Sequence, residues 1–98
     1  MLDQMSHLFH LRVVVESGSM RRAAENLNVT QPALSRSIAQ LEKQFGRLLL
    51  VRHARGVEPT EYGRRVVRSI MRLERAPDIR ALRIPDFGAD LASATRFF

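Results

Sequence analysis

The sequence predicts a mainly α fold that carries one small β-hairpin. Three observations predict it. Apolar residues recur at helical spacing in four separate segments. Two of those segments are joined only by Asn28, Val29 and Thr30. A short apolar run, Leu48 to Arg52, is followed by a glycine turn and a second short run before the last helix. Spacing of three and four marks one face of a helix, and a brief apolar run bounded by turn residues marks a strand.

The first helix is expected from Gln4 to Glu16. Leu8, Leu11 and Val15 keep helical spacing there, and Phe9 and Val14 widen the stripe. Gly18 breaks it, and Ser19 is a good N-cap for a short second helix. In that helix Ala23, Ala24 and Leu27 face inward, while Arg21, Arg22 and Glu25 face out. Small paired alanines let a neighbouring helix pack close. Asn28 suits the stop, because Asn tolerates the left-handed conformation.

Thr30 can cap the third helix, and Pro32 falls in its first turn, where a missing N–H costs nothing. Two helices joined by so tight a turn form a helix-turn-helix pattern. Its expected core is Ala23, Ala24, Leu27, Val29, Leu34, Ile38 and Leu41. The other side of the third helix carries Gln31, Ser35, Arg36, Ala39 and Lys43. Small and hydrogen-bonding groups in its first turns suit a helix that must enter a narrow space.

Gly46 ends that helix. Leu48–Arg52 and a return strand from Val57 to Pro59 make a hairpin of the size called a wing, with His53 and Arg55 at its tip. Thr60 can cap a fourth helix, which Pro77 should end by Ala76. Tyr62, Val66, Ile70 and Leu73 form its stripe, with Val67 beside them. Arg64, Arg65, Arg68, Arg72 and Arg75 take its other faces. Beyond Pro77 only Ile79 and Leu82 suggest a further turn or two.

Charge narrows the function. The chain has 98 residues, which is one domain by size, and a net charge of +6. Fifteen of its sixteen cations are Arg, whose planar fork suits phosphates and guanine edges. Arg80, Arg83 and Arg96 cancel Asp78, Asp86 and Asp90, so the whole excess lies in residues 1–75. A basic body of this kind favours a polyanionic partner. There is no cysteine, which removes disulfides and thiolate chemistry. With no membrane-length apolar run and no leader pattern, a cytoplasmic protein that does not contact membrane is expected.

Catalysis finds little support. His7 and His10 lack a carboxylate or third ligand at useful spacing, so no metal site and no cofactor are expected. Asp86-Phe87-Gly88 spells a kinase triplet without the rest of the kinase set, and an enzyme is not expected.

The block GSMRRAAENLNVTQPALSRSIAQLEKQFG, Gly18 to Gly46, resembles the DNA-binding domain of LysR-type transcriptional regulators. Gly18-Ser19, Ala23-Ala24, Leu27, Val29, Gln31 to Ser35, Ile38, Leu41-Glu42 and Gly46 carry the likeness. Leu49, Arg52, Thr60-Glu61 and Gly63 continue it downstream. The resemblance implies a winged helix-turn-helix over residues 1–59, a linker and dimerisation helix over 60–76, and an unassigned tail over 77–98. It implies sequence-specific binding of double-stranded DNA by a homodimer to regulate transcription. The effector domain of that family has no room here, so no small-molecule effector site is expected and the chain is either the DNA-binding part or a stand-alone truncated member. Pro77 departs from the family's continuous linker helix, and Ala54 and Pro59 depart from its usual wing residues.

Chemistry assigns the contacts. Gln31 can bond adenine at N6 and N7, and Pro32 and Ala33 can touch a thymine methyl. Ser35 can bond a base of either kind or a phosphate, and Arg36 can reach a guanine or a phosphate. Thr30 is a cap alone or a cap that also touches phosphate. The resemblance makes Gln31, Pro32, Ser35 and Arg36 base readers and sends Arg55 to the adjacent minor groove. Arg21, Arg22 and Arg52 are either phosphate contacts or solubilising charge. Pairing of the fourth helix with a full-length regulator, without DNA, stays open as the other class of function.

Overall fold

The computed structural model describes residues 2–75. The tail 77–98, with Pro77, Ile79, Leu82 and the Asp86-Phe87-Gly88 triplet, lies outside the described residues, as does the expected helix end at Ala76. Four helices and one hairpin follow in the order α1 (Leu2–Ser17), α2 (Met20–Leu27), α3 (Gln31–Phe45), β1 (Leu50–His53), β2 (Gly56–Pro59) and α4 (Glu61–Arg75).

The central helix is α1, which packs against α2, α3 and α4 and also touches β2. That position explains why its sequence is apolar on more than one side. Leu8, Leu11 and Val14 are fully buried, and each side chain of this size contributes about 1.5–3 kcal/mol on burial. The innermost third member is thus Val14, with Val13 and Val15 packed at the edge of the core. Phe9 corrects the expected stripe: it is 42% exposed and lies under the Arg12 guanidinium, 4.7 Å from the ring centroid. One residue past Leu8, it is turned about 100° off the buried line.

The helix-turn-helix forms by local chemistry. The Ser19 hydroxyl accepts the Arg22 N–H at 3.2 Å and starts α2. Asn28 stops α2 in the left-handed conformation at φ 59°, and the Val29 N–H returns to the Ala24 carbonyl at 3.0 Å. The Thr30 hydroxyl then accepts the Ala33 N–H at 3.2 Å and starts α3 with Pro32 in its first turn. Ala23 and Ala24 are buried, while Leu27 and Val29 are half-buried against the core. Met20 is buried beside them.

The wing is shorter than its apolar run suggests. β1 starts at Leu50 rather than Leu48, and Leu48 is 66% exposed. Glu42 ties the corner before it. Its carboxylate accepts the N–H groups of Leu49 at 2.8 Å and Leu50 at 3.2 Å, so those donors serve the α3–β1 corner. The antiparallel register pairs Leu50 with Pro59, Val51 with Glu58, Arg52 with Val57 and His53 with Gly56. His53 therefore lies in the strand, and Ala54 and Arg55 alone form the tip. Gly56 takes φ 143°, and a Cβ there would meet the Gly18 carbonyl, which accepts the Val57 N–H at 3.1 Å. The hairpin is so bound to the α1–α2 turn.

Thr60 closes the hairpin and opens α4. Its hydroxyl donates to the Leu48 carbonyl at 2.8 Å and accepts the Gly63 N–H at 2.9 Å. Tyr62, Val66, Val67 and Ile70 are buried, and Ser69 is buried with them. Leu73 and Arg75, the last expected members of that helix's pattern, lie outside the residues whose side chains are described. Gly63 sits against the backbone of Leu49, where a Cβ would collide with the Leu49 carbonyl. Gly63→Ala should therefore lower unfolding stability by about 2 kcal/mol or more, as overpacking against backbone does. Urea denaturation of the two chains measures the difference.

Candidate nucleic-acid interface

Burial fixes how α3 is turned. Leu34, Ser37, Ile38, Leu41 and Phe45 are buried on one side. Helical geometry sends Pro32, Arg36, Ala39, Gln40 and Lys43 to the opposite side, and all five are exposed. Gln31 is also exposed, while Ala33 and Ser35 are half-buried on the flank. Thr30 lies exposed at the cap.

The wing adds two cations. Arg52 rises from β1, exposed, and its Nη2 donates to Ser35 Oγ at 3.4 Å. Arg55 is exposed at the tip, with its backbone N–H bonded to His53 Nδ1 at 3.2 Å. On the outer side of the hairpin His53 Nε2 lies 2.8 Å from Glu58 Oε2. The structure thus brings Arg52 and Ser35 together and leaves Gln31 and Arg36 of α3 and Arg55 of the wing tip exposed to solvent. On α2, Arg21 bonds Glu25 at 3.1 Å with both side chains well exposed. Such surface pairs are worth about 0.3–0.5 kcal/mol, so a phosphate can displace the carboxylate.

Two residues of α3, one behind the face and one on it, carry a role that periodicity alone understates. Ser37 lies on the buried side of α3 and pairs with His10 of α1, Nδ1 to Oγ at 2.9 Å. A serine three residues from Leu34 and four from Leu41 is the available signal, since it must face the core and needs a partner there. Gln40 is the other addition, one turn beyond Arg36 on the open face. Among the described residues no group of three or more His, Cys, Asp or Glu is placed to hold a metal, and no helix is long and apolar enough to cross a membrane.

Burial first, and His7 second, hold the His10 imidazole below its ordinary value of 6.5. The folded chain therefore disfavours the imidazolium more than the unfolded chain does. Stability from this site is present above 6.5 and is lost as pH falls below it toward the lower value of the folded chain. The urea midpoint should drop between about pH 7.5 and about pH 5.5, and drop less in His10→Gln, which cannot titrate there.

Known proteins share this arrangement. The family profile described as "Bacterial regulatory helix-turn-helix protein, lysR family" matches residues 5–64. The nitrogen assimilation regulatory protein nac of Klebsiella aerogenes is 49% identical over 51 residues, which is 52% of this chain and 17% of that protein. The HTH-type transcriptional regulator CatR of Pseudomonas putida is 48% identical over 61 residues, 62% of this chain and 21% of that one. The chain thus spans about a fifth of the length of these curated relatives. Among solved structures, the CbnR_DBD–DNA complex superposes with a TM-score of 0.69 at 33% identity, over 74% of this chain and 83% of that one. The BenM_DBD/catB site 1 DNA complex gives 0.70 at 36% identity, over 76% and 83%.

Proposed function

The chain belongs to the lysR family of bacterial regulatory helix-turn-helix proteins, and we propose that it binds double-stranded DNA in a sequence-specific way to regulate transcription. One observation carries this reading: the polar side of α3 is open to solvent at its N-terminal turns, while its apolar side is buried. A major groove admits a helix presented in that way. Gln31, Pro32 and Arg36 are then the groups that enter first. Ala33 and Ser35 follow on the flank, and Thr30 combines its cap with a phosphate contact. Arg52 and Arg55 extend the footprint beyond the helix, Arg55 into the neighbouring minor groove. Arg21 and Arg22 supply backbone contacts that position the domain without reading sequence.

Two copies are required for a pseudo-palindromic site, since reading helices one DNA turn apart combine two weak half-site energies. The 60–76 helix is the proposed seam. Its Tyr62–Val66–Ile70 stripe is used inside the domain, so a second copy meets its outer side, where Met71 stands among Arg64, Arg65, Arg68 and Arg72. Four arginines on each side of a two-fold repel, so added salt or a bound polyanion favours pairing. A cytoplasmic location goes with this activity.

Arg36→Ala and Gln31→Ala should each cut discrimination between a selected duplex and random DNA by about tenfold or more, on the scale of a lost base contact. A phosphate-contacting arginine replaced by alanine should instead lower the salt dependence by about one unit of slope with little change in preference. Fluorescence anisotropy titrations over a salt series separate the two. Unchanged binding in both α3 variants contradicts the assignment.

A further inference from the structure

We propose that Arg52 is a positioning residue for sequence preference: it holds Ser35 so that the serine hydroxyl offers a proton, not a lone pair, to the duplex. This rests on the DNA-binding reading above and deepens it. Ser35 sits in the second turn of α3, half-buried at the edge nearest the wing. A helical serine commonly turns its hydroxyl back to the carbonyl four residues earlier, here that of Gln31. Instead, Ser35 Oγ accepts Nη2 of Arg52 at 3.4 Å, a long bond that orients more than it stabilises.

The donor inventory makes the consequence definite. A guanidinium only donates, whereas a hydroxyl carries one donor and two acceptor sites. Arg52 occupies one lone pair, and its positive charge weakens the other as an acceptor while strengthening the O–H as a donor. Ser35 held in this way selects acceptors: guanine O6 or N7, adenine N7 or thymine O4. It disfavours the amino groups of adenine and cytosine. Without Arg52 the hydroxyl is free to rotate and bonds either class.

Arg52 can do this because its strand is held before any ligand arrives. The wing root is fixed by Glu42 at Leu49 and Leu50, and the return strand by the Gly18 carbonyl at Val57, the register partner of Arg52. A simple phosphate clamp at position 52 would need none of this geometry, and the two roles separate experimentally. A clamp alters the salt slope and leaves base preference alone.

The test uses the whole 98-residue chain. A preferred duplex is selected from a random pool, and affinity is measured for each single base-pair change. Ser35→Ala identifies the base pair that Ser35 reads. Arg52→Ala should flatten preference at that same pair by about fivefold, the scale of one net hydrogen bond, and Arg52→Lys, whose ammonium also only donates, should restore part of it. The double variant Ser35→Ala/Arg52→Ala should flatten it no further. Arg52→Lys keeps the charge and should keep the wild-type salt slope. Uniform weakening across all duplexes with preference intact overturns the inference, as does a Ser35→Ala chain that keeps every preference. A wild-type chain that enriches no sequence overturns the DNA-binding reading itself, and this inference falls with it.

Discussion

The burial of one side of α3 against α1 is the constraint on which the rest depends. Leu34, Ile38 and Leu41 are at most 1% exposed, and the three buried residues of α1, Leu8, Leu11 and Val14, are equally enclosed. Successive helical residues are turned by about 100°, so this burial leaves no freedom in where Pro32, Arg36, Gln40 and Lys43 point. Turning α3 by one residue would drive a charged guanidinium toward the core and expose leucine, which costs several kcal/mol on both counts. The His10–Ser37 bond adds direction to an otherwise greasy contact, because a buried hydroxyl has to meet its partner.

The same helix also sets the position of the wing. A two-stranded hairpin alone is marginal in water. Here it gains fixed ends: Glu42 of α3 holds the entry to β1, Thr60 ties the exit to Leu48, and Gly18 takes the Val57 N–H. Arg52 and Arg55 are therefore placed relative to α3 by hydrogen bonds to the hairpin's backbone and its flanks, and their long side chains supply only the last few ångströms of reach. The outward polar face and the wing cations belong to one rigid arrangement rather than to two independent features.

Much of this was legible in the residues because it is local. Ser19, Asn28, Thr30 and Pro32 act within a turn of themselves, and together they set the start, stop and phase of α2 and α3. Phase then dictates which side chains are open, so the site residues follow from the same few signals. What stayed hidden depends on partners far along the chain. Leu48 looks like strand, yet it lies exposed in the corner that Glu42 ties at Leu49 and Leu50, and β1 begins only at Leu50. His53 looks like a tip residue until the pairing with Gly56 shortens the turn to two residues. Phe9 is apolar and next to Leu8, but adjacency on a helix is not a shared face. Nothing near Gly63 signals that the Leu49 carbonyl will lie against it.

The central claim concerns a face, so the most direct measurement maps one. Backbone amide shifts of the isotopically labelled chain can be followed by NMR as a duplex is added. The account predicts that the largest changes fall on Thr30 to Arg36 and on the hairpin around Arg52 to Arg55, with the buried core residues of α1 little affected. Changes centred on α4, with α3 silent, would contradict it.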